Sequence, residues 1–347
     1  MSRFHKGIEI TMRVAYLFPG HSSFGRINNG IIVQAITWAN ELRRTGVDVV
    51  LYNAWEGCDF YQCDIVHLFS YFAQQEIFIR TLKNVYNVKV AISPIIDTNR
   101  SAWQSTIASR IHFPRLHLYS VFGSLRASVP YVDAWFARSE YEGAHLRQSL
   151  GVDAQRIHKV MLPVRIAPVE EIGEREPFCL LACFLPAPRK NVMRLIEAAI
   201  KFGFRLVLVG EKTSQSAYDE MMRKVNGHPN IEVRGRVSDE ELLELYRKAR
   251  VFALPSLMEG VGLVALEAAA NGCDIVLTNR GGPKEYYNGM ASLVDPLSVD
   301  QIGHAVMEFL EGKTFQPQLR DHIVSNYSLD KTVQGLKSTY SSMLADR

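Results

Sequence analysis

The feature that most constrains this chain is an alternation that occurs twice. Short runs rich in β-branched and other apolar residues are separated by amphipathic segments at helical spacing. A strand followed by a helical segment and another strand returns to the same sheet through a crossover, so the pattern specifies βαβ units around parallel sheets. In the first half the runs are 12–18 (MRVAYLF), 47–52, 64–69, 88–93 and 133–138; in the second they are 178–185 (FCLLACFL), 205–210, 230–235, 251–256, 273–278 and 291–295. Between the first two, IIVQAITWANELRRTG (31–46) predicts a helix with Arg43 and Arg44 in its last turn and Gly46 just past its end. Ser238 followed by Glu241 is a capping box that starts another.

The stretch APVEEIGEREP (167–177) carries Pro and acid without periodicity and reads as a linker. Residues 1–166 and 178–327 are then two doubly wound domains, and a chain of 347 residues suits that number. At 47% hydrophobic and 22% charged it has the composition of an ordinary globular protein rather than a disordered or fibrous one. No run approaches the ~18 apolar residues of a membrane span, and the start, MSRFHKGIEITMR, lacks the apolar core of a signal peptide. The expected location is the cytoplasm. Five cysteines without a Cys-x-x-Cys pair fit neither a disulfide framework nor a structural zinc site. Residues 1–165 hold 18 Lys and Arg against 12 Asp and Glu, whereas the remainder holds 21 against 24. The basic half suits an anionic partner, and ordinary surface variation accounts for it equally.

The densest chemical signal is LPSLMEGVGLVALEAAANGCDIVLTNRGGPKE, residues 254–285. A strand ends at Pro255 and Ser256, a turn carries Glu259, Gly260, Val261 and Gly262, and a very apolar helix follows from Leu263 with Glu267 as its only charge. Backbone amides near the glycines and the positive end of the helix can take an anion such as a diphosphate. Glu259 in the same turn would repel that anion at contact and therefore suits neutral hydroxyls one step beyond it. A carboxylate in an apolar helix costs several kcal/mol unless satisfied, so Glu267 faces either a hydroxyl-bearing ligand or a cation in a buried ion pair. Two carboxylates bracketing an anion site suit a nucleoside diphosphate sugar.

The string EGVGLVALE with the following GGPKE resembles the signature of retaining glycosyltransferases of family 4, which have the GT-B fold. The resemblance implies two Rossmann-like domains facing each other across a cleft, the first binding acceptor and the second binding donor. A final helix, 328–347, would pack back on the first domain. It assigns Glu259 to the donor sugar, Glu267 to the ribose, and the amides of Gly260, Val261, Gly262 and Leu263 to the phosphates. Lys190 of RKN matches the family's lysine, so Glu259 and Lys190 are the expected catalytic pair. The family's arginine position holds Leu185, and Arg189 stands directly before the lysine instead. Asn29-Gly30 stands where the family has a glycine pair near the donor phosphate, which places Gly30 in the donor site. His21 and His67 are the acceptor-side candidates. The implied mechanism is a front-face displacement in which the leaving phosphate takes the acceptor proton, with no resident metal or cofactor.

Other readings are an epimerase acting on a nucleotide sugar and a sugar-nucleotide binder without turnover. A dinucleotide-dependent oxidoreductase is disfavoured, because no G-x-G-x-x-G follows the first strand of either half. Residues 101–128 mix Arg110, Arg115 and Arg126 with Trp103, Phe113 and Tyr119. That suits a lipid-linked or cell-envelope glycan acceptor and peripheral contact with the inner membrane surface; a packed helix pair with extended arginines is the alternative.

Overall fold

Each half of the chain builds a six-stranded, all-parallel sheet. The computed structural model describes residues 4–5, 8–9, 12–18, 30–52, 57–116 and 118–345. Residues 1–96, 100–163 and 329–347 form one unit; residues 97–99 and 164–328 form the other.

In the first unit β1 (Arg13–Leu17), β2 (Asp48–Leu51), β3 (Ile65–Phe69), β4 (Lys89–Ser93), β5 (Ala134–Ala137) and β6 (Ile157–Lys159) lie in the order β2-β1-β3-β4-β5-β6. Its helices are α1 (Gly30–Arg44), α2 (Gln75–Asn84), α3 (Ala102–Arg110), α4 (Val121–Ala127) and α5 (Glu140–His145). The expected strands form at their expected places. β6 is an addition: three partly polar residues at the sheet edge carry too short a pattern to read. All five residues of β3 are buried, because helices cover both faces of a parallel sheet. Val66 and Leu68 enter one core, with Ile79, Leu82 and Trp135. The alternate residues, His67 and Phe69, enter the other, with Tyr16, Trp38 and Phe136.

In the second unit β7 (Glu176–Ala182), β8 (Arg205–Val209), β9 (Ile231–Gly235), β10 (Ala249–Leu254), β11 (Asp274–Thr278) and β12 (Ser292–Val294) take the order β9-β8-β7-β10-β11-β12. Renumbered within the unit this is 3-2-1-4-5-6, the Rossmann order. The helices are α6 (Val192–Phe202), α7 (Gln215–Val225), α8 (Asp239–Lys248), α9 (Leu263–Ala270), α10 (Val299–Leu310) and α11 (Gln318–Asn326). Ser238 caps α8, its Oγ accepting from the Glu241 amide at 3.2 Å.

The chain then enters α12 (Leu329–Ala345), which belongs to the first unit and packs on α1. The Tyr340 hydroxyl reaches 2.6 Å from His67 Nδ1 and 3.1 Å from the Tyr16 hydroxyl.

Residues 167–177 differ from a free linker. Contacts place them in the second unit, and β7 begins at Glu176. Arg175 donates to the carbonyls of Tyr246 (2.9 Å) and Asn271 (2.8 Å). Those carbonyls close the C-terminal ends of α8 and α9, which lack partners within their own helices, so a guanidinium there docks the segment.

Candidate functional site

In the second sheet β7 and β10 are hydrogen-bonded neighbours. The chain builds outward from β7 to β9 on one side and from β10 to β12 on the other. The loops leaving their carboxyl ends therefore diverge, and that point in an open α/β sheet is where a ligand has room and free backbone groups. The loops here are 183–191 and 255–262, and they carry the residues singled out in the sequence.

Lys190 Nζ donates to Glu259 Oε2 at 2.6 Å, and Ser256 Oγ donates to the same oxygen at 3.0 Å. Arg189 Nη1 lies 3.6 Å from Glu259 Oε1 and donates to the Met258 carbonyl at 3.1 Å. The Leu257 amide bonds back to the Arg189 carbonyl at 2.8 Å. Asn191, held at φ +60°, donates to the carbonyls of Pro255 (2.9 Å) and Pro296 (2.6 Å) and so pins three loops at one point. Glu259 is nearly buried, whereas 46% of the Arg189 side chain is exposed, so Arg189 is both within reach of the carboxylate and open to a ligand. Leu185, at the family's arginine position, is fully buried.

The turn after Glu259 is tightly built. The Gly282 amide bonds to the Glu259 carbonyl at 3.2 Å, and a Cβ on Gly281 (φ +98°) would lie 2.0 Å from that oxygen. Gly260, Val261 and Gly262 are buried and Leu263 is half-buried, with Gly262 at φ +79° as the N-cap of α9. The first amides of α9 have no acceptor in their own helix.

Glu267 is 1% exposed. Every residue of α9 from Ala265 to Ala270 is buried, so this helix has no wet face on which to place a carboxylate. Its partner is Arg165, whose guanidinium donates directly to Glu267 Oε1. Burial pushes the Glu267 carboxyl up, and Arg165 partly offsets that rise. Of the two arrangements open to this residue, the structure shows the buried ion pair. Sequence reasoning passed over Arg165; its only signal is a lone cation within Pro-flanked LPVRIAP.

The first-unit candidates fare differently. Gly30 is the exposed first residue of α1, with open space where a Cβ would stand. His21 and Asn29 lie outside the described residues. His67 is a correction: it sits mid-strand, is 0% exposed, and has both ring nitrogens engaged, Nδ1 with the Tyr340 hydroxyl and Nε2 with Ser93 Oγ at 2.9 Å. Phe69 and Phe136 stack on its ring. Burial lowers its pKa to about 3. It is a neutral node of the core, with no nitrogen left for an acceptor, because its place in β3 turns its side chain under α12.

Residues 184–327 match the family model of glycosyl transferases group 1. That stretch contains both diverging loops and most of the second sheet. Among curated proteins, a glycosyltransferase of Methanocaldococcus jannaschii is 26% identical over 45% of this chain and 46% of its own length. The O-antigen chain mannosyltransferase B of Escherichia coli is 29% identical over 37% of this chain and 36% of its own. The chain thus spans less than half the length of these relatives. Among solved structures, Anabaena HepE in complex with UDP and glucose superposes with a TM-score of 0.68 over 95% of this chain and all of that one, at 13% identity. A likeness at that identity shows the fold alone, and the fold is GT-B.

Proposed function

We propose that this chain is a retaining glycosyltransferase of family 4. It moves a sugar from a nucleoside diphosphate sugar to a glycan or lipid-linked acceptor in cell-envelope polysaccharide or lipopolysaccharide synthesis. The observation that carries the reading is the meeting of Lys190, Arg189 and Glu259 at the point where the strand order of the second sheet reverses. The match over 184–327 supports it, as do a relative named for O-antigen mannosyl transfer and a structure of this fold that holds UDP and glucose.

The chemistry follows from charge. When the anomeric carbon parts from its phosphate oxygen, negative charge gathers on the departing diphosphate, and fixed cations and amides there lower the barrier. In this reading Lys190 Nζ, the Arg189 guanidinium and the amides from Gly260 to Leu263 perform that task. Glu259 orients Lys190 in the resting state and accepts donor-sugar hydroxyls once the lysine turns to phosphate. In a front-face displacement the departing oxygen takes the acceptor's proton as the new glycosidic bond forms on the same face. The chain then supplies position and electrostatics rather than a nucleophile. Gly30 is proposed to bind the donor phosphate, and His21 to serve the acceptor. No resident metal or cofactor enters this scheme.

The test is product analysis with the full chain, a panel of nucleoside diphosphate sugars and lipid-linked acceptors, with the anomeric configuration read by NMR. Retention is expected. An inverted product overturns the mechanism. Nucleotide release at the uncatalysed rate with every acceptor, alongside a thermal shift by donor, identifies a binder instead.

A further inference from the structure

Helix α3 is built inside out. Its inward positions are small hydroxyls, Ser105 at 0% and Ser109 at 2% exposure, with Ser109 Oγ donating to the Ser149 carbonyl at 3.1 Å. Its outward positions are large and apolar: Trp103 and Ile107 are 64% and 52% exposed, and Ile111, one turn on, is 54% exposed. A helix that folds only against its own domain places its apolar stripe inward. The chain then makes a tight loop closed by paired backbone hydrogen bonds between Phe113 and Leu118 (2.8 and 3.2 Å). Near its tip Leu116 is 68% exposed, and Leu118 is 57% exposed. Within sixteen residues of sequence the chain thus turns five large apolar side chains, Trp103, Ile107, Ile111, Leu116 and Leu118, to the outside as an apolar ridge, the kind of surface that marks an interaction site.

Charge identifies what covers it. Between Asp97 and Asp133 the sequence has no acidic residue and four arginines, of which Arg110 and Arg115 flank the ridge and are exposed. We propose that this ridge docks on a bilayer surface containing anionic lipid, with Trp103, Ile107, Leu116 and Leu118 entering the interfacial layer and Arg110 and Arg115 meeting the headgroups. Apolar side chains with tryptophan at the boundary and arginine beside it are the composition such an interface selects. A second copy of the chain fits less well. In a two-fold contact the same arginines would face their own images, and the segment holds no carboxylate to meet them. The inference stands apart from sugar transfer, since vesicle binding is read without donor or acceptor.

The experiment is flotation of the full chain with phosphatidylcholine vesicles and with vesicles that also contain phosphatidylglycerol. Two variants accompany the wild type: a Trp103→Ser/Ile107→Ser/Leu116→Ser triple and an Arg110→Gln/Arg115→Gln pair. All the altered side chains are exposed, so thermal unfolding should match wild type and report folding independently. Wild type is expected to float with the anionic vesicles and to be released by salt. The arginine pair should reduce partitioning roughly twenty-five-fold, at about fivefold per basic residue, and the triple should abolish it. Recovery of wild type in the soluble fraction with both vesicles overturns the proposal. So does equal flotation of the triple, or concentration-dependent dimerisation that the triple abolishes, which would make the ridge a self-interface.

Discussion

Lys190 Nζ and Glu259 Oε2 stand 2.6 Å apart although 69 positions separate the residues. Two neighbouring parallel strands, β7 and β10, release their chains side by side, and Asn191 ties the two loops together. Ser256 shares the carboxylate oxygen, and Arg189 approaches the other one. Lys190 and Glu259 therefore neutralise each other in the resting site, and under the proposed function that contact is exchanged for contacts to substrate.

Removing either member should cost transfer much more than stability. Lys190→Met and Glu259→Gln should each lower kcat by about a hundredfold or more, the usual scale for loss of a fixed charge at a transition state. The double variant should be scarcely worse than the poorer single one, because the two act as a unit. Steady-state kinetics on the three proteins checks this; additive losses would mean independent roles.

Arg165 and Glu267 should behave as a structural pair. Removing the cation from a buried carboxylate is expected to cost about 3 kcal/mol, so Arg165→Met should lower the denaturant midpoint at neutral pH. The pH dependence has a definite sign. Burial raises the folded-state pKa of Glu267, so the folded chain holds this proton more tightly than the unfolded one, and the group's contribution declines as pH rises above the ordinary carboxylate range. The stability of wild type relative to Glu267→Gln should therefore fall as pH is raised from that range toward neutrality. Arg165→Met should steepen the fall. Denaturation curves across that interval check both; an Arg165→Met curve no steeper than wild type would contradict the pair, and a wild-type difference that grows with pH would mean that the Arg165 charge outweighs burial.

His67 should matter to folding and not to the pH profile of the reaction. Its folded-state pKa, about 3, lies below the ordinary value of about 6.5. Its stabilising contribution is thus present above that ordinary value and is lost as pH falls toward 3, by about 1.4 kcal/mol per pH unit for this group alone. His67→Gln should flatten the acid limb of the stability curve while leaving the shape of kcat against pH unchanged. Tyr340→Phe, which removes the hydroxyl shared by His67 and Tyr16, should cost about 1–2 kcal/mol. A shift in the kinetic profile of His67→Gln would return this residue to the reaction.

Gly281→Ala should loosen donor binding through geometry alone. The added methyl would lie 2.0 Å from the Glu259 carbonyl at a backbone angle of +98°, so the turn carrying Glu259 must move. Isothermal titration with nucleoside diphosphate should show at least a tenfold weaker Kd. Gly173→Ala, whose methyl would meet open space on an exposed residue outside the site, should fold and bind as wild type and is the matched control.

The strands were legible because a parallel strand covered on both faces is apolar along nearly its whole length, as in RLVLVG at 205–210, and that pattern needs no tertiary information. β6 escaped because an edge strand of three residues is under no such constraint. The glycine-rich turn and the residues 259–267 were legible because backbone approach and helix starts demand particular residue types locally. Glu267 and His67 show where that ends. Sequence reading could say that a lone carboxylate in an apolar helix needs a partner, and only the folded chain shows that Arg165, 102 positions away, is the partner. It could place a histidine on a strand, and only the packing of α12 over β3 shows both its nitrogens engaged. Periodicity and turn chemistry are short-range properties of the chain and are written in residue order. The pairing of buried polar groups is set by long-range packing, where desolvation makes an unpartnered group costly and the fold decides which neighbour arrives.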